Sequence, residues 1–343
     1  MLRKKEIEEI REHLLRAQNP LFYFDNDQDG LCSYLLLRKF SGKGNGVPVK
    51  TSPLGKDHAG RIKEFNPDYI FILDQPVISD EFFEEVKEKN IPLVWVDHHE
   101  TQIEKIPKEV FYFNPLFSDG KNEPVTKICY EVTKRKEDLW ILIAGCLADK
   151  FFPEEYKNFS KVYPDLTIDS RVPFKIFYES EIGKVSRMMG TGLKDRTSMV
   201  MKMIRFLLNA RTPYEVLEEK KENIEMHKRF HEIDSKLKVL FEKAKNSLGK
   251  GKVLFFRYAG DTSMSADISN RLSYEFPEKL VVVAFLRGAR VNISIRGKGA
   301  KKIVKKAIKG IPLSTFGGHE DALGAQMNEE NLDEFKENLE KIF

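Results

Sequence analysis

The chain has 343 residues, of which 41% are hydrophobic and 32% charged, with a formal net charge of only +4. This length exceeds what one ordinary hydrophobic core fills, and it predicts two domains of about 150 residues each. No apolar run approaches the length of about 18 residues that a membrane span needs, so no membrane association is expected. The three cysteines are far apart and form no CxxC pair, which suits a reducing compartment and predicts a cytoplasmic protein.

The first part of the chain alternates short apolar runs with amphipathic segments. Such runs are typical of strands that are buried on both faces of a parallel sheet, with helices on either side. The predicted strands are residues 21–24, 69–73, 93–96 and 110–113, and the predicted helices among them are 30–40, 80–89 and 124–134. Residues 42–46, rich in glycine, are predicted to form a surface loop. With a mostly helical extension, this α/β domain is predicted to cover residues 1–212.

A long helical pattern and a second α/β unit follow. Residues 214–248 carry an apolar stripe amid glutamate and lysine, and they predict a connector helix within 213–249. Beyond it, residues 250–343 are predicted to form a smaller domain with strands at 253–256, 280–285 and 291–295 and helices at 265–276, 301–309 and 332–342. The predicted fold class is therefore α/β, with two α/β domains joined by a long helix.

Three carboxylates directly follow the first predicted strand. Asp25, Asp27 and Asp29 stand at alternate positions, and Gly30 comes next. Carboxylates packed this closely raise each other's pKa unless a cation compensates their charge. An EF-hand calcium loop has a similar beginning, but it needs a glutamate at its twelfth position, where this chain has Leu36, and a helix before it. The pattern predicts a divalent metal site, with a plain acidic turn as the alternative.

Further candidate ligands follow the next two strands. Asp74 comes directly after the second strand, and Asp97-His98-His99 comes directly after the third. Functional groups of parallel sheets collect at the carboxyl ends of the strands. Neutral imidazole is a common metal ligand, and a neighbouring carboxylate can orient it. With Asp149, these residues provide enough ligands for two metal ions, although paired histidines alone would more often be surface residues.

These motifs resemble those of the DHH phosphoesterase superfamily, and the Asp-x-Asp-x-Asp-Gly form of the first motif resembles the RecJ-type nucleases in particular. The resemblance covers residues 19–324. Near its end, Gly317-Gly318-His319 is similar to the Gly-Gly-His motif of the DHHA1 domain. The resemblance implies an N-terminal DHH domain, a C-terminal DHHA1 domain and an active site in the cleft between them.

The resemblance also implies roles for individual residues. It implies two divalent ions, Mn²⁺ preferred and Mg²⁺ the alternative, with the ligands Asp25, Asp27, Asp29, Asp74, His98 and Asp149. Asp74 would bridge the two ions, and Asp25 stands where many relatives have a histidine. Asp97 would support a histidine, and His99 would contact or protonate the reacting phosphate. The DHHA1 residues implied to bind the substrate are Ser294, Arg296, Gly317, Gly318 and His319.

A run of positive charge indicates the class of substrate. Nine lysines and arginines lie between Arg287 and Lys309, and no acidic residue follows them before Glu320. A charge run is usually a solvated face, but a run of one sign in a chain of mixed charge suits a polyanionic backbone. The predicted partner is therefore single-stranded DNA or RNA, together with replication or repair proteins. The sequence leaves the oligomeric state open.

The predicted function is exonucleolytic hydrolysis of single-stranded nucleic acid, with 3′ to 5′ polarity favoured and nucleoside monophosphates as products. One alternative is a phosphodiesterase for short oligoribonucleotides, cyclic dinucleotides or 3′-phosphoadenosine phosphate. Another is a non-catalytic scaffold in a replication or repair complex. The basic run argues against the first alternative, and the presence of every expected type of ligand argues against the second.

Overall fold

The computed structural model describes residues 1–50, 53–249 and 251–343. The chain divides into two compact units, Met1–Phe230 and His231–Phe343. Each unit contains one five-stranded sheet. Within the described ranges, no helix combines the length and the apolar character needed to cross a membrane.

The first unit is an α/β domain whose strand pairs are all parallel in the described residues. Its strands are β1 Pro20–Asp25, β2 Asn45–Val49, β3 Tyr69–Leu73, β4 Leu93–Val96 and β5 Phe111–Phe113, in the order β2-β1-β3-β4-β5. Its helices are α1 Lys4–Arg16, α2 Gln28–Ser41, α3 Lys56–Phe65, α4 Asp80–Glu88, α5 Val125–Thr133, α6 Leu139–Ala148, α7 Tyr156–Val162, α8 Pro173–Glu179, α9 Glu181–Leu193, α10 Thr197–Asn209 and α11 Pro213–Leu217. Apolar clusters cover both faces of the sheet, which explains why the predicted strands are continuous apolar runs.

The surface loop predicted at residues 42–46 is partly wrong, because β2 begins at Asn45. Asn45 pairs with Leu21 of β1, and Gly46 pairs with Phe22. Gly46 also lies against a ring, since a Cβ atom there would be 2.5 Å from Cζ of Tyr34. Pairing with β1 and packing on Tyr34 thus order a segment whose glycines suggested a loop.

The helix predicted over residues 214–248 is broken into α11 and α12 Ile224–Asn246. Asn223 occupies the break. Its side-chain amide donates to the carbonyls of Glu215 and Glu218 at 3.1 and 2.9 Å, and its Oδ1 accepts from the backbone of Lys220 at 2.7 Å. The asparagine therefore satisfies the free carbonyls that end α11, where the apolar periodicity alone indicated continuity.

The second unit is a mixed sheet with helices on both faces. Its strands are β6 Val253–Ala259, β7 Leu280–Arg287, β8 Arg290–Arg296, β9 Thr315–Gly318 and β10 Ala322–Asn328, in the order β6-β7-β8-β10-β9. Only the β6–β7 pair is parallel among these strands. Its remaining helices are α13 Ser265–Glu275, α14 Ala300–Ala307 and α15 Leu332–Ile342. One apolar cluster joins the sheet to α14 and α15, and another joins it to α12 and α13.

Candidate metal centre

The predicted metal ligands meet at the carboxyl edge of the first sheet. Asp25 ends β1, Asp74 directly follows β3, and Asp97 directly follows β4. Asp149 comes from the carboxyl end of α6. Three of the predicted ligands, Asp29, Asp74 and His98, are almost fully buried, with exposed fractions of 4% or less, and so is Asp97. The parallel sheet thus brings together residues that lie up to 124 positions apart in the sequence, from Asp25 to Asp149.

The loop between β1 and α2 depends on a glycine. Asp27 caps α2, because its carboxylate accepts the backbone N–H of Gly30 at 3.0 Å. A Cβ atom on Gly30 would lie 2.4 Å from the carbonyl oxygen of Asp25 and 2.6 Å from its nitrogen. Only glycine allows α2 to begin this close to the end of β1. The motif therefore places Asp25 and Asp27 close to Asp74.

Asp29 has a structural role that the sequence did not reveal. Its two carboxylate oxygens accept the backbone N–H groups of Val125 and Thr126, each at 2.8 Å. These groups begin α5, so the carboxylate caps a second helix at its positive end. Asp29 still lies within ligand distance of the site, in a group with Asp74 and His98 whose potential ligand atoms are all within 4.8 Å of one another.

Asp74 occupies the centre of the cluster. Its backbone is left-handed, with φ at 62°, and its N–H donates to the carbonyl of Val96 at 3.0 Å. Its Oδ1 is buried and accepts no hydrogen bond from the described residues, although Nε2 of His98 is 3.3 Å away. Asp74 belongs to three groups of residues whose potential ligand atoms all lie within 4.8 Å of one another. It shares one group with Asp25 and Asp27, a second with Asp29 and His98, and a third with Asp97 and His99. A buried, unsatisfied carboxylate oxygen shared by these groups suits a bridging metal ligand.

The two histidines of the triplet have different partners. Nδ1 of His98 is 3.1 Å from the side-chain oxygen of Asn122, which leaves Nε2 facing Asp74. Nδ1 of His99 is 2.8 Å from Oδ1 of Asp97. A metal-binding imidazole commonly donates its other N–H to such an oxygen. The arrangement leaves His98 suited to bind metal and makes His99 the histidine that Asp97 orients.

Burial and mutual repulsion raise the pKa values of the carboxylates in this cluster. Burial, followed by the charge of Asp27, raises the pKa of Asp25 to about 7. Burial is also the largest cause of the raised pKa values of the other ligand carboxylates, which are Asp27, Asp29, Asp74 and Asp149. Such a group of oxygens carries more negative charge than its surroundings stabilise, and oxygen and imidazole ligands suit Mn²⁺ or Mg²⁺. The residues present therefore fit a centre of divalent metal ions.

The second imidazole of the triplet is the exception in this cluster. Burial lowers the pKa of His99, but the hydrogen bond and charge of Asp97 outweigh it and raise that pKa to about 9. Asp97 itself is held by the hydroxyl of Thr101 at 3.1 Å. Without bound metal, His99 is therefore protonated near neutral pH.

Two further residues around the site were not predicted. Nε2 of Gln75 donates to Oδ1 of Asp25 at 2.9 Å, and the indole N–H of Trp95 donates to the carbonyl of Gln75 at 3.0 Å. The second is Asn122, whose side-chain oxygen orients His98. The only sequence signal for Gln75 is that it follows Asp74, since its direction depends on the left-handed backbone before it. Asn122 lies in a loop and carries no signal.

The predicted substrate-binding residues lie together in the second unit. Ser294 of β8 pairs with Gly324 of β10, and Gly324 pairs with Gly317 of β9. Directly paired residues share a face of the sheet, and Arg296 shares that face two residues beyond Ser294. Nε of Arg296 donates to the side-chain oxygen of Asn270 at 2.6 Å. This polar face is the opposite of the one that packs on α14 and α15.

The Gly-Gly-His segment forms the end of a hairpin. Gly318 has φ at 129°, and a Cβ atom there would lie 2.7 Å from the carbonyl oxygen of Ala322. The backbone N–H of His319 donates to that same carbonyl at 2.9 Å. Gly318 is therefore required by the backbone of the turn, whereas a Cβ atom on Gly317 would meet nothing within 4 Å.

Comparison with known proteins supports both units. Residues 249–343 match the family model of the DHHA1 domain. The Mn²⁺ complex of RecJ from Thermus thermophilus matches with a TM-score of 0.73 and 14% identity, over 99% of this chain and 54% of that one. The chain thus spans about half the length of that RecJ. No curated protein matches the chain in sequence.

Two other solved structures match over most of both chains. An exonuclease RecJ bound to manganese has a TM-score of 0.66 and 14% identity, over 100% of this chain and 94% of that one. The DHH domain of a protein described as a member of a family of ribosomal proteins has a TM-score of 0.68 and 13% identity, over 98% and 89%. These likenesses confirm the predicted fold class.

Proposed function

We propose that this chain is a member of the DHH/DHHA1 superfamily and a metal-dependent phosphodiesterase that degrades single-stranded DNA or RNA from an end. The DHHA1 match of residues 249–343 and the likeness to RecJ structures support this proposal. The observation that carries this proposal is the position of Asp74, a buried carboxylate within ligand distance of three groups of potential metal ligands. A carboxylate shared in this way is what a pair of divalent ions requires.

The proposed ligands divide around Asp74. Asp25 and Asp27 form one group with it, and Asp29 and His98 form another. Asp149 adds a carboxylate whose Oδ2 is 3.7 Å from Nδ1 of His98. Two Mn²⁺ or Mg²⁺ ions held by these residues would activate water for attack and neutralise charge on the phosphate. The fit rests on the oxygen and imidazole donors and on the unsatisfied oxygen of Asp74.

The remaining residues of the triplet act on the phosphate in this proposal. Asp97 keeps His99 protonated and fixes the direction of its ring through the 2.8 Å contact. A protonated imidazole can donate a hydrogen bond to a phosphate oxygen or a proton to the leaving group. His99 is therefore the proposed catalytic residue, and Asp97 is its positioning residue.

The substrate assignment is supported by the charge of the second unit. The nine basic residues between Arg287 and Lys309 suit a backbone of several phosphates better than a dinucleotide. The face with Ser294, Arg296 and Gly317 would bind a phosphate of the substrate. We further propose 3′ to 5′ polarity with nucleoside monophosphates as products.

End-labelled substrates test the proposal. DNA and RNA oligonucleotides of ~2 to ~30 nucleotides, labelled at either end, are incubated with the full chain and Mn²⁺, and the products are separated with time. We expect rates that rise with length and mononucleotide products from the 3′ end. Activity confined to dimers and trimers would instead identify a phosphodiesterase for short oligonucleotides.

Two variants test whether Asp74 is needed for metal binding and hydrolysis. Asp74→Asn should abolish Mn²⁺-dependent hydrolysis and lower Mn²⁺ affinity in a calorimetric titration. Asp57→Asn changes an exposed aspartate in the first turn of α3 and should leave both unchanged. Hydrolysis by Asp74→Asn at the wild-type rate, or no Mn²⁺-dependent hydrolysis of any oligonucleotide by the wild type, would refute the proposal.

A further inference from the structure

A row of lysines on α14 carries charge that the fold does not neutralise. The row consists of Lys302, Lys305 and Lys306 of α14, together with Lys298 in the loop before the helix and Lys309 in the turn after it. All five are exposed. No carboxylate of the described residues lies within ion-pair distance of any of them. The row is therefore a surface of one sign.

The direction of the row is fixed by packing. Ala300, Val304 and Ala307 are buried in the apolar cluster of the second unit, and they lie on the opposite side of α14. At about 100° per residue, the helical lysines fall within an arc of roughly 100° on the outer side. Lys302 and Lys306 stand at i, i+4 on the helix, so like charges face each other and destabilise it at low salt.

Several lysines on two other helices form ion pairs with carboxylates of the same helix. On α12, Lys228, Lys236 and Lys238 each lie within 3.4 Å of a carboxylate three or four residues away. On α15, Lys336 and Lys341 pair in the same way at 3.8 and 3.7 Å. The lysine row of α14 differs from these lysines of α12 and α15, which are paired along their own helices. Unpaired like charges are the expected arrangement where a polyanion supplies the counter-charge.

The row begins beside the proposed phosphate-binding face. Gly297 directly follows Arg296, and its N–H donates to the carbonyl of Asp321 at 3.0 Å. The N–H of Gly299 donates to the side chain of Asp321 at 2.7 Å. These bonds fasten the loop that carries Lys298 to the turn after the Gly-Gly-His segment. Lys298 therefore lies in a fixed loop between β8, which carries Arg296, and α14.

We propose that the lysine row of α14 is a second binding site for the backbone of a single-stranded nucleic acid, outside the nucleotides that react. The row runs from Lys298 to Lys309, through the loop, α14 and the turn that follows it, so it can contact more than one phosphate of a strand. This inference rests on the proposed function for its ligand, and it adds that long strands are held by contacts that short substrates do not reach.

Binding without hydrolysis tests the site separately from the activity. A fluorescent oligothymidylate of ~30 nucleotides is titrated with the full chain in EDTA, at ~0.05 to ~0.3 M NaCl. The variant K302Q/K305Q/K306Q removes three unpaired charges. Its matched control, K228Q/K236Q/K238Q, removes three paired ones. Circular dichroism and thermal unfolding check that both fold as the wild type does.

The expected result is a change in the salt dependence of binding. Each phosphate neutralised on a single strand adds about 0.7 to the slope of log K against log salt, so the α14 variant should lose about 2. Its affinity should fall roughly 100-fold at ~0.1 M salt, while the control keeps the wild-type slope. Equal slopes for the α14 variant and the wild type would overturn the proposal. So would displacement of the oligonucleotide by polyglutamate at lower concentration than by unlabelled oligothymidylate, which would indicate an acidic protein partner.

A small substrate separates this inference from the proposed function. Mn²⁺-dependent hydrolysis of thymidine 5′-(p-nitrophenyl phosphate) should be the same in the wild type and the control variant, which gives a measure of the reaction that does not depend on a long strand. Loss of this activity in the α14 variant alone would place the lysines in the reaction and overturn a separate site. If the wild type itself hydrolyses no substrate, the proposed function is refuted. The salt dependence of oligothymidylate binding then still tests the binding site on α14.

Discussion

Mn²⁺ should stabilise the protein more at about pH 8 than at about pH 5, because the metal must displace protons from the carboxylates. In the folded protein the pKa of Asp25 is about 7, against an ordinary value of 3.8. The folded state therefore binds more protons than the unfolded state between these values. It follows that metal-free stability falls as pH rises through this window, and that Mn²⁺ reverses the trend.

The size of the effect follows from the pKa of one group. A carboxyl group of pKa about 7 is almost fully ionised at about pH 8 but only about 1% ionised at about pH 5, so displacing its proton weakens metal binding about 100-fold, or about 2.7 kcal/mol. In a unit of this size the stabilisation corresponds to roughly 5 to 10 °C in melting temperature. The other buried carboxylates have raised pKa values as well, so this is a lower bound.

Thermal unfolding is measured across this pH range with EDTA and with Mn²⁺. The melting temperatures give the pH dependence of stability without and with the metal. Asp74→Asn serves as the variant without a complete centre and should show little response to Mn²⁺ at any pH. An increase in melting temperature of the same size at both ends of the pH range would refute the reasoning, as would no increase at the alkaline end.

Three further predictions concern individual residues. Gly30→Ala should lower the free energy of unfolding by about 1–3 kcal/mol and weaken Mn²⁺ binding, measured by denaturation and calorimetry, because its Cβ would overlap the backbone of Asp25. Gln75→Ala should weaken Mn²⁺ binding about 10-fold by freeing the carboxylate of Asp25, and Gln75→Glu should not restore it, which calorimetry can check. Asp97→Asn should lower kcat more than Mn²⁺ affinity, because it removes the carboxylate that orients His99; equal losses of both would contradict that role.

Local patterns were enough to predict most strands of the first sheet and the cluster at its edge. A strand buried on both faces must be apolar along its length, so residues 69–73 and 93–96 were visible in the sequence. Parallel strands end at one edge, so the acidic residues that follow them were expected to meet. The structure brings Asp25, Asp27 and Asp74 together as this argument requires, while their roles as ligands stay predictions.

Other features depend on contacts that no local pattern encodes. β2 exists because Asn45 and Gly46 pair with β1, and the helix predicted over 214–248 is interrupted because the side chain of Asn223 caps α11. β9 was recognised only through the Gly-Gly-His motif and β10 was not predicted, since β10 is ordered by pairing with β8 and β9 by pairing with β10.

The sequence by itself determined that carboxylates and imidazoles would meet at one edge of a parallel sheet, because strand direction and residue order suffice for that conclusion. Only the tertiary structure decided which of them touch. The left-handed backbone at Asp74 sets the direction of Gln75 toward Asp25, and Asp97 reaches His99 because of the turn after β4. Side-chain direction depends on backbone angles and on neighbours distant in the chain, and the spacing of a motif determines neither of them.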